Sequence, residues 1–208
     1  MISFILFFIG IIACCIILLQ LGFLKVALWL GSLTLLILFL VFILLLVEIY
    51  KVLFLGNAPY VPSSKKLINK ILQAVDFKEN YLVYELGCGN AKFLRKLVKQ
   101  KKVQAIGYEY FILPFLMAKL LTFLNRNKIK IFCQDFFKVD LSRADYIFCF
   151  LINQEMLRLE TKLAKELKPG ALVISNAFQF KNWQPEKIII LDQNKKTGLN
   201  NKIYIYRK

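Results

Sequence analysis

The chain has 208 residues, 58% of them hydrophobic, and its 29 Lys and Arg outnumber its 13 Asp and Glu, giving a formal net charge of +16. So apolar a composition excludes one ordinary water-soluble domain. The absence of histidine excludes Ser-His-Asp and Cys-His triads, and five cysteines without C-x-x-C spacing make a zinc site close to excluded. We therefore predict no bound metal.

Residues 1–55 are predicted to anchor the chain in a membrane. Their ionisable side chains are Lys25, Glu48 and Lys51. Two uncharged runs, 2–19 and 26–47, are each close to the roughly 20 residues that cross a hydrocarbon core as a helix. The link between them is short, which predicts a transmembrane helical hairpin. One bent or interfacial segment is the alternative.

Basic residues crowd the chain just after the second apolar run, namely Lys51, Lys65, Lys66 and Lys70. The positive-inside bias therefore places residues 56–208 on the cytoplasmic face of the membrane. This part carries 27 basic and 12 acidic residues, a net charge of about +15. Such a surface favours anionic lipid, although biased codon usage is another source of the charge. The sequence argues against a nucleic-acid partner, because no arginine-rich or aromatic-interleaved motif accompanies the lysines.

Residues 56–208 alternate between apolar runs and helical patterns, which predicts an α/β domain. The expected strands are 81–86, 103–109, 130–133, 144–150 and 171–176, with a closing pair at 187–192 and 202–207. The expected helices are 64–75, 91–100, 114–125 and 154–167, the last capped by Asn153. The pattern predicts a Rossmann-like, seven-stranded, mostly parallel sheet with helices on both faces.

The segment 81–92, YLVYELGCGNAK, predicts a buried strand that ends in an acid and a glycine-rich turn that opens a helix. Gly87 and Gly89 let the backbone turn sharply and approach a ligand. Glu85 suits the ammonium group of an amino-acid-bearing ligand, whose carboxylate can meet the amides of the turn. The sequence departs from the G-x-G-x-x-G of dinucleotide-binding domains, which favours S-adenosylmethionine. Such a turn is also common as simple punctuation.

Two further acids lie at or just after the ends of neighbouring predicted strands. Glu109 follows the glycines by about twenty residues, where a carboxylate can accept both ribose hydroxyls. Asp135 can bind an adenine amino group, and Phe136 can stack beside the ring. Each acid alone is more simply a solvated loop carboxylate. Together they converge at the edge where open α/β sheets bind ligands.

The chain resembles the membrane-anchored protein-lysine methyltransferases of mitochondria and their bacterial relatives. The segments that carry the likeness, over about residues 59–185, are PYVPSS, YELGCGNAK, AIGYE, QDFFKVDLS, FLINQEM and ELKPGALVIS with a late NW. The resemblance implies a class I fold and an S-adenosylmethionine pocket. The residues placed there are Glu85, Gly87, Cys88, Gly89, Glu109, Tyr110, Asp135 and Phe136. It also implies a lysine acceptor on a membrane protein of energy metabolism.

The chain departs from the family pattern at three points. Asn90, Ala91 and Lys92 stand where the family usually has an aspartate, a glycine and an arginine. Tyr110 and Phe111 replace an Asn-Pro pair after Glu109, and Asn153 replaces a proline. The cofactor acids are retained.

Several residues are predicted to lie near the methyl acceptor, and some of them also have a purely structural interpretation. The side-chain carbonyls of Asn153 and Gln154 can orient a lysine amine, and the alternatives are a helix cap and a surface glutamine. Tyr60 and Phe150 would wall the channel, while Asn176 and Trp183 are weaker candidates. The segment containing Tyr60, Pro62 and Ser63 is interpreted as a lid over the cofactor. The alternative is a stiff spacer in which Ser63 caps the next helix.

The sequence therefore predicts a membrane-bound methyltransferase that modifies lysine on a membrane-embedded or membrane-associated protein. Methylation of a lipid or isoprenoid small molecule is the alternative enzyme activity. A non-catalytic, cofactor-binding membrane scaffold is the alternative from another class.

Overall fold

The computed structural model describes residues 2–55, 63–151, 153–191 and 201–208, and the side chains of 6–17, 19–51, 63–151, 155–191 and 201–208. Two compact units divide the chain, Met1–Asn57 and Ala58–Lys208. The predicted residues Tyr60 and Pro62 lie outside the described residues, and the side chains of Asn153 and Gln154 lie outside the described side chains.

The first unit consists of two apolar helices in contact, α1 (Ile2–Gln20) and α2 (Leu24–Leu55). Gly22, at φ +78°, lies in the turn that joins them. Of the described helices, only α2 contains a stretch long and apolar enough to cross a membrane, Leu24–Lys51. The second predicted span, 26–47, thus lies within a longer helix.

The second unit is a seven-stranded mixed sheet flanked by helices. Its strands are β1 (Leu82–Leu86), β2 (Gln104–Glu109), β3 (Ile129–Cys133), β4 (Tyr146–Cys149), β5 (Leu172–Asn176), β6 (Lys187–Ile190) and β7 (Lys202–Arg207). Its helices are α3 (Lys65–Ala74), α4 (Lys92–Gln100), α5 (Ile112–Leu124) and α6 (Asn153–Glu166). The Rossmann-like architecture predicted from the sequence is confirmed.

The strand order is β3-β2-β1-β4-β5-β7-β6. Strands β1 to β5 are parallel, whereas β7 pairs antiparallel with both β5 and β6. Parallel strands require long crossover connections, which here contain α4, α5 and α6 and, between β3 and β4, only a short 3-10 helix; an antiparallel strand needs no such crossover. The carboxyl ends of β1, β2 and β3 consequently lie side by side at one edge of the sheet.

Apolar side chains pack on both faces of the sheet. On one face, α3, α4 and α5 contribute to a cluster with Val83 and Ile131. On the other face, α6 packs with Tyr84 and Ile147. Alternate residues of one strand, such as Val83 and Tyr84, therefore serve opposite faces, as the pleat requires.

The helix starts of the second unit differ from the predictions by one or two residues, and three of them change an interpretation. The cap of α3 is Ser64, not Ser63, because the Ser64 side chain accepts a 3.1 Å hydrogen bond from the amide of Leu67. Helix α5 begins at Ile112, two residues early, since a proline is tolerated in a first helical turn, where amides lack helical partners. Asn153 is the first residue of α6 and does not precede it.

Candidate cofactor-binding site

The glycine turn after β1 has a backbone that most side chains disfavour. Gly87, Gly89 and Ala91 have φ values of +71°, +53° and +55°. The amides of Gly87 and Cys88 both donate to the carbonyl of Tyr108, each at 2.9 Å, which fixes the turn against β2. Ala91, which stands where the family has a glycine, adopts the left-handed conformation and is buried. An L-residue there carries a strain that glycine would not.

Cys88 supports the turn by packing and not as a reactive thiol. Its side chain is buried, and burial raises the pKa of its thiol well above the ordinary value, which keeps the sulfur neutral. A Cβ placed on Gly107 would lie 2.7 Å from Cys88 Sγ, closer than side-chain carbons approach. Gly107 in QAIGYE is thus a site residue that the predictions missed, although a glycine inside a strand is a signal of close approach.

Glu109 connects the turn to the start of α5. Its Oε2 accepts a 2.6 Å hydrogen bond from the amide of Gly89, and its Oε1 accepts a 2.8 Å bond from the amide of Phe111. The residue is 4% exposed. The pair of bonds orients the Glu109 carboxylate at the end of β2, where a carboxylate oxygen can accept more than one hydrogen bond.

Glu85 is a buried acid with an oxygen that lacks a partner. It lies in β1 opposite Gly107 of β2, and its Oε2 has no hydrogen bond in the described structure. Burial raises its pKa well above the ordinary value, the Leu94 amide opposes this rise and the charge on Glu109 adds to it. A buried carboxylate oxygen without a partner destabilises the fold unless a cation or a hydrogen-bond donor reaches it.

Asp135 and Phe136 follow β3, beside Glu109. The amide of Gln134 donates to the Glu109 carbonyl at 2.9 Å, which joins the ends of the two strands. The Oδ1 of Asp135 accepts a 2.9 Å bond from the Phe137 amide and caps a short 3-10 helix, Phe136–Lys138. Phe136 is 7% exposed and belongs to the core cluster on the α6 face, so most of the ring packs against protein.

Lys92 links the glycine turn to the end of the predicted lid. Its Nζ donates a 2.9 Å hydrogen bond to the carbonyl of Ser63. A second contact, from the Arg95 guanidinium to the carbonyl of Asn90, closes the same turn. Two departures from the family pattern, Asn90 and Lys92, therefore take part in local bonding around the turn.

Phe150, Asn176 and Trp183 are described residues on the predicted acceptor side. Phe150 is half-buried beyond β4, and Leu151 lies 3.3 Å from the position that a Cβ on Gly87 would occupy. Asn176 is fully buried at the end of β5. Trp183 is packed against Phe180 and Tyr206, with ring centroids 5.7 and 5.4 Å away, which gives it a structural role. Tyr110 is half-buried beside Phe111.

The loop after β5 is held by an acid that the predictions did not include. Glu160 of α6 is 6% exposed and accepts hydrogen bonds from the amides of Lys181 and Asn182, at 3.1 and 2.8 Å. It fixes the path of the chain beside Trp183. Among the described residues, no group of three potential ligands could hold a metal ion.

The residues present fit S-adenosylmethionine. The orphaned Oε2 of Glu85 suits its ammonium group, Glu109 suits its ribose, and the exposed Gly87 offers backbone without a Cβ. Fold and site together define a class I S-adenosylmethionine-dependent methyltransferase.

Comparison with solved structures agrees. An RNA methyltransferase from Salinibacter ruber, in complex with S-adenosyl-L-homocysteine, superposes with a TM-score of 0.64 at 21% identity, covering 71% of this chain and 93% of that one. At this identity the likeness shows the fold alone.

Sequence comparison is more specific. The ANTKMT methyltransferase domain family matches residues 85–187. A protein-lysine N-methyltransferase of Saccharolobus islandicus is 30% identical over 158 residues, covering 74% of this chain and 95% of the relative. The human lysine N-methyltransferase of the ATP synthase C-subunit is 30% identical over 134 residues, 62% of this chain and 56% of that protein. This chain therefore belongs to the ANTKMT-type family of protein-lysine methyltransferases.

Proposed function

We propose that this protein transfers a methyl group from S-adenosylmethionine to the side-chain amine of a lysine on a membrane-associated protein. The observation that carries the transferase activity is the convergence of Glu85, Glu109 and the glycine turn at adjacent strand ends. The Saccharolobus relative is named for lysine methylation, and two other relatives are named for lysines of the ATP synthase C-subunit and of the adenine nucleotide translocase.

The chain's own part in the reaction is to bind and orient. The cofactor, when bound, supplies the electrophilic methyl group. Glu85 and Glu109 would hold its ammonium group and ribose, while Asp135 and Phe136 would border its adenine. Cys88 supports the turn with a neutral thiol, because burial raises its pKa. A covalent methyl-cysteine route through Cys88 is thereby disfavoured.

A lysine amine must lose its proton before it can attack, and its ordinary pKa is near 10.4. A dry channel lowers this pKa by disfavouring the ammonium form. We propose that Phe150, Tyr60 and Pro62 border such a channel and that Asn153 and Gln154 orient the amine by their side-chain carbonyls. Glu160 would act indirectly, by fixing the loop at Lys181 and Asn182.

The membrane part of the proposal is supported by α2, whose stretch Leu24–Lys51 is long and apolar enough to cross a bilayer. We propose that α1 and α2 form a hairpin in the membrane and that residues 56–208 face the cytoplasm. Lys51, Lys65, Lys66 and Lys70 favour that side. The tether would raise the effective concentration of membrane targets around the site.

The test is to incubate membranes containing the full-length protein with methyl-labelled S-adenosylmethionine. We expect label in the protein fraction, recovered as methyl-lysine after acid hydrolysis. Label in the organic extract with none in protein would instead support a lipid or isoprenoid acceptor. If the purified protein does not bind the cofactor, the transferase assignment is wrong.

A variant separates acceptor positioning from cofactor binding. We expect Gln154→Ala to slow methyl transfer about tenfold or more while the Kd for S-adenosylmethionine stays within about twofold, because the proposed role is confined to the amine. Gln104→Ala, at an exposed glutamine at the far end of β2, is the matched control and should change neither. Full transfer by Gln154→Ala would remove this residue from the acceptor site.

A further inference from the structure

Helix α5 presents an apolar surface that the described part of its own unit, Ala58–Lys208, does not cover. Its buried residues are Ala118 and Thr122, on the side that packs against β2 and β3. The opposite side carries five large apolar side chains that are half exposed or more, from 50% for Met117 to 79% for Phe123. These are Leu116, Met117, Leu120, Phe123 and Leu124.

The spacing of these residues makes one continuous face. Leu116, Leu120 and Phe123 stand at i, i+4 and i+7, and Met117 and Leu124 flank them one residue further on. A surface helix of a water-soluble domain would carry polar residues there. The face is thus organised for an apolar environment and is larger than scattered exposed leucines explain.

The charges around α5 indicate which environment it is. Between Glu109 and Asp135 there is no acidic residue, whereas the basic residues Lys119, Arg126, Lys128 and Lys130 are all exposed. Lys119 borders the apolar face on the helix itself, and Arg126 and Lys128 follow its carboxyl end, whereas Lys130 lies in β3 and alternates with Ile131, which packs on the α5 side of the sheet. An anionic lipid surface has apolar acyl chains beneath negatively charged phosphates. An apolar helical face with a rim of cations complements both layers.

We propose that α5 is an interfacial membrane helix, whose exposed face lies at the boundary between headgroups and acyl chains of an anionic bilayer. The rim of cations would bind lipid phosphates. Because α5 begins three residues after Glu109, and the Phe111 amide bonds the Glu109 carboxylate, this contact would seat the cofactor site at the lipid surface. The inference goes beyond the proposed function, since the tether alone does not require a second lipid contact.

The test uses the full chain, in bilayers of phosphatidylcholine and phosphatidylglycerol whose acyl chains are brominated, with tryptophan as the probe. Both natural tryptophans are first replaced, Trp29→Phe and Trp183→Phe. Leu116→Trp then reports on the α5 face. Ile188→Trp is the control, because Ile188 is equally exposed, 50% against 51%, but lies on β6 at the other edge of the sheet. Leu120→Trp replaces Leu116→Trp if the latter does not fold.

We expect bromine to quench Leu116→Trp fluorescence by at least half and to leave Ile188→Trp nearly unchanged. Three results would overturn the proposal. Unquenched, blue-shifted Leu116→Trp emission would mean that protein covers the face, either this chain or a second copy. Emission typical of water would mean that it stays in solvent, and equal quenching of both probes would mean that lipid contact is unspecific.

The role of the cations is tested in the same bilayers. Replacing Lys119, Arg126 and Lys128 by glutamine should lower Leu116→Trp quenching at least twofold, and unchanged quenching would overturn the electrostatic part. Cofactor binding, measured in parallel, separates this proposal from the proposed function. Quenching of Leu116→Trp without cofactor binding would support α5 as an interfacial helix and would contradict the proposed transferase activity.

Discussion

At the level of single residues, the cofactor site depends on acids that are already engaged with the backbone. Glu109 accepts from the amides of Gly89 and Phe111, so it shapes the turn as well as offering acceptors to a ligand. Glu85 differs, because one of its oxygens is buried without a partner. Substitutions of Glu109 and Glu85 are therefore expected to have different effects on cofactor binding and on stability.

Glu109→Gln is expected to raise the Kd for S-adenosylmethionine about tenfold to a hundredfold. The amide nitrogen of glutamine cannot accept, so one backbone amide loses its partner, and hydrogen bonds to charged groups contribute roughly 1.5–3 kcal/mol. Isothermal titration calorimetry measures the change. Glu186→Gln, at a surface acid paired with Arg207, is the control and should bind normally. Normal binding by Glu109→Gln would remove Glu109 from the ribose site.

Glu85→Gln is expected to change how stability depends on pH. Because burial raises the pKa of Glu85 in the folded state, its contribution to stability is fully present below its ordinary value of about 4.5 and is lost as pH rises through the folded-state pKa. The variant should therefore gain stability over the wild type as pH rises above about 5, without cofactor. Urea denaturation at several pH values tests this, and parallel curves would contradict it.

Glu85→Gln should have the opposite effect on binding. The variant cannot offer a carboxylate to a cationic amine, so S-adenosylmethionine should bind more weakly even though the cofactor-free protein is more stable. This combination distinguishes a ligand-binding acid from one that only supports the fold.

At the level of elements, the site is made by the close packing of the glycine turn on β2. Gly107 is the contact, since a Cβ there would also lie 3.1 Å from Leu94 Cδ1 of α4. Strand β2 thus contacts the turn at two places. Gly107 packs against Cys88, and Glu109, the last residue of the strand, accepts a hydrogen bond from the amide of Gly89. The turn has little room to relax if either support is changed.

Gly107→Ala is expected to lower the free energy of unfolding by about 1–3 kcal/mol, the usual cost of overpacking. It should also weaken cofactor binding, because Cys88 can move only by shifting the turn. Adding Cys88→Ala removes the Sγ that the new methyl group meets at 2.7 Å, so the double variant should recover part of the loss. Strictly additive losses in the denaturation cycle would show that the two residues are independent.

At the level of the whole molecule, two units are built for different solvents. Met1–Asn57 contains apolar helices whose large side chains are mostly exposed, whereas Ala58–Lys208 has a buried core on both faces of its sheet. Exposed leucines along α2 are unfavourable in water and favourable in lipid. The division of the chain therefore follows from where each unit buries its apolar surface.

Lysines in the middle of α2 should detach the chain from the membrane. Leu36→Lys with Leu40→Lys costs about 5–7 kcal/mol of insertion free energy at a helix centre. We expect a several-fold smaller membrane fraction after alkaline extraction and less methylation of membrane proteins, with an unchanged Kd for the cofactor. Val26→Lys with Ile49→Lys, near the helix ends, is the control, since lysines there reach the interface. Full retention of the central variant would mean that α2 does not span.

Much of this protein follows from local sequence patterns. Alternating apolar runs located the bounds of the seven strands to within two residues, since the period of a pattern reflects which faces are buried. GCGNAK located the turn, because few residues other than glycine adopt positive φ readily. The apolar excess of residues 1–55 also predicted the two helices of the first unit. Composition alone was enough there, because an uncharged apolar run prefers lipid to water.

Only the tertiary structure decided which residues meet. The clash that excludes a side chain at Gly107 comes from Cys88, nineteen positions earlier, and the orphaned oxygen of Glu85 depends on everything packed around it. The exposed face of α5 also needed the fold, since ILPFLMAKLLTFL reads equally well as a buried helix. Sequence determines local conformation and apolar content, but contacts between distant residues exist only once the chain has folded.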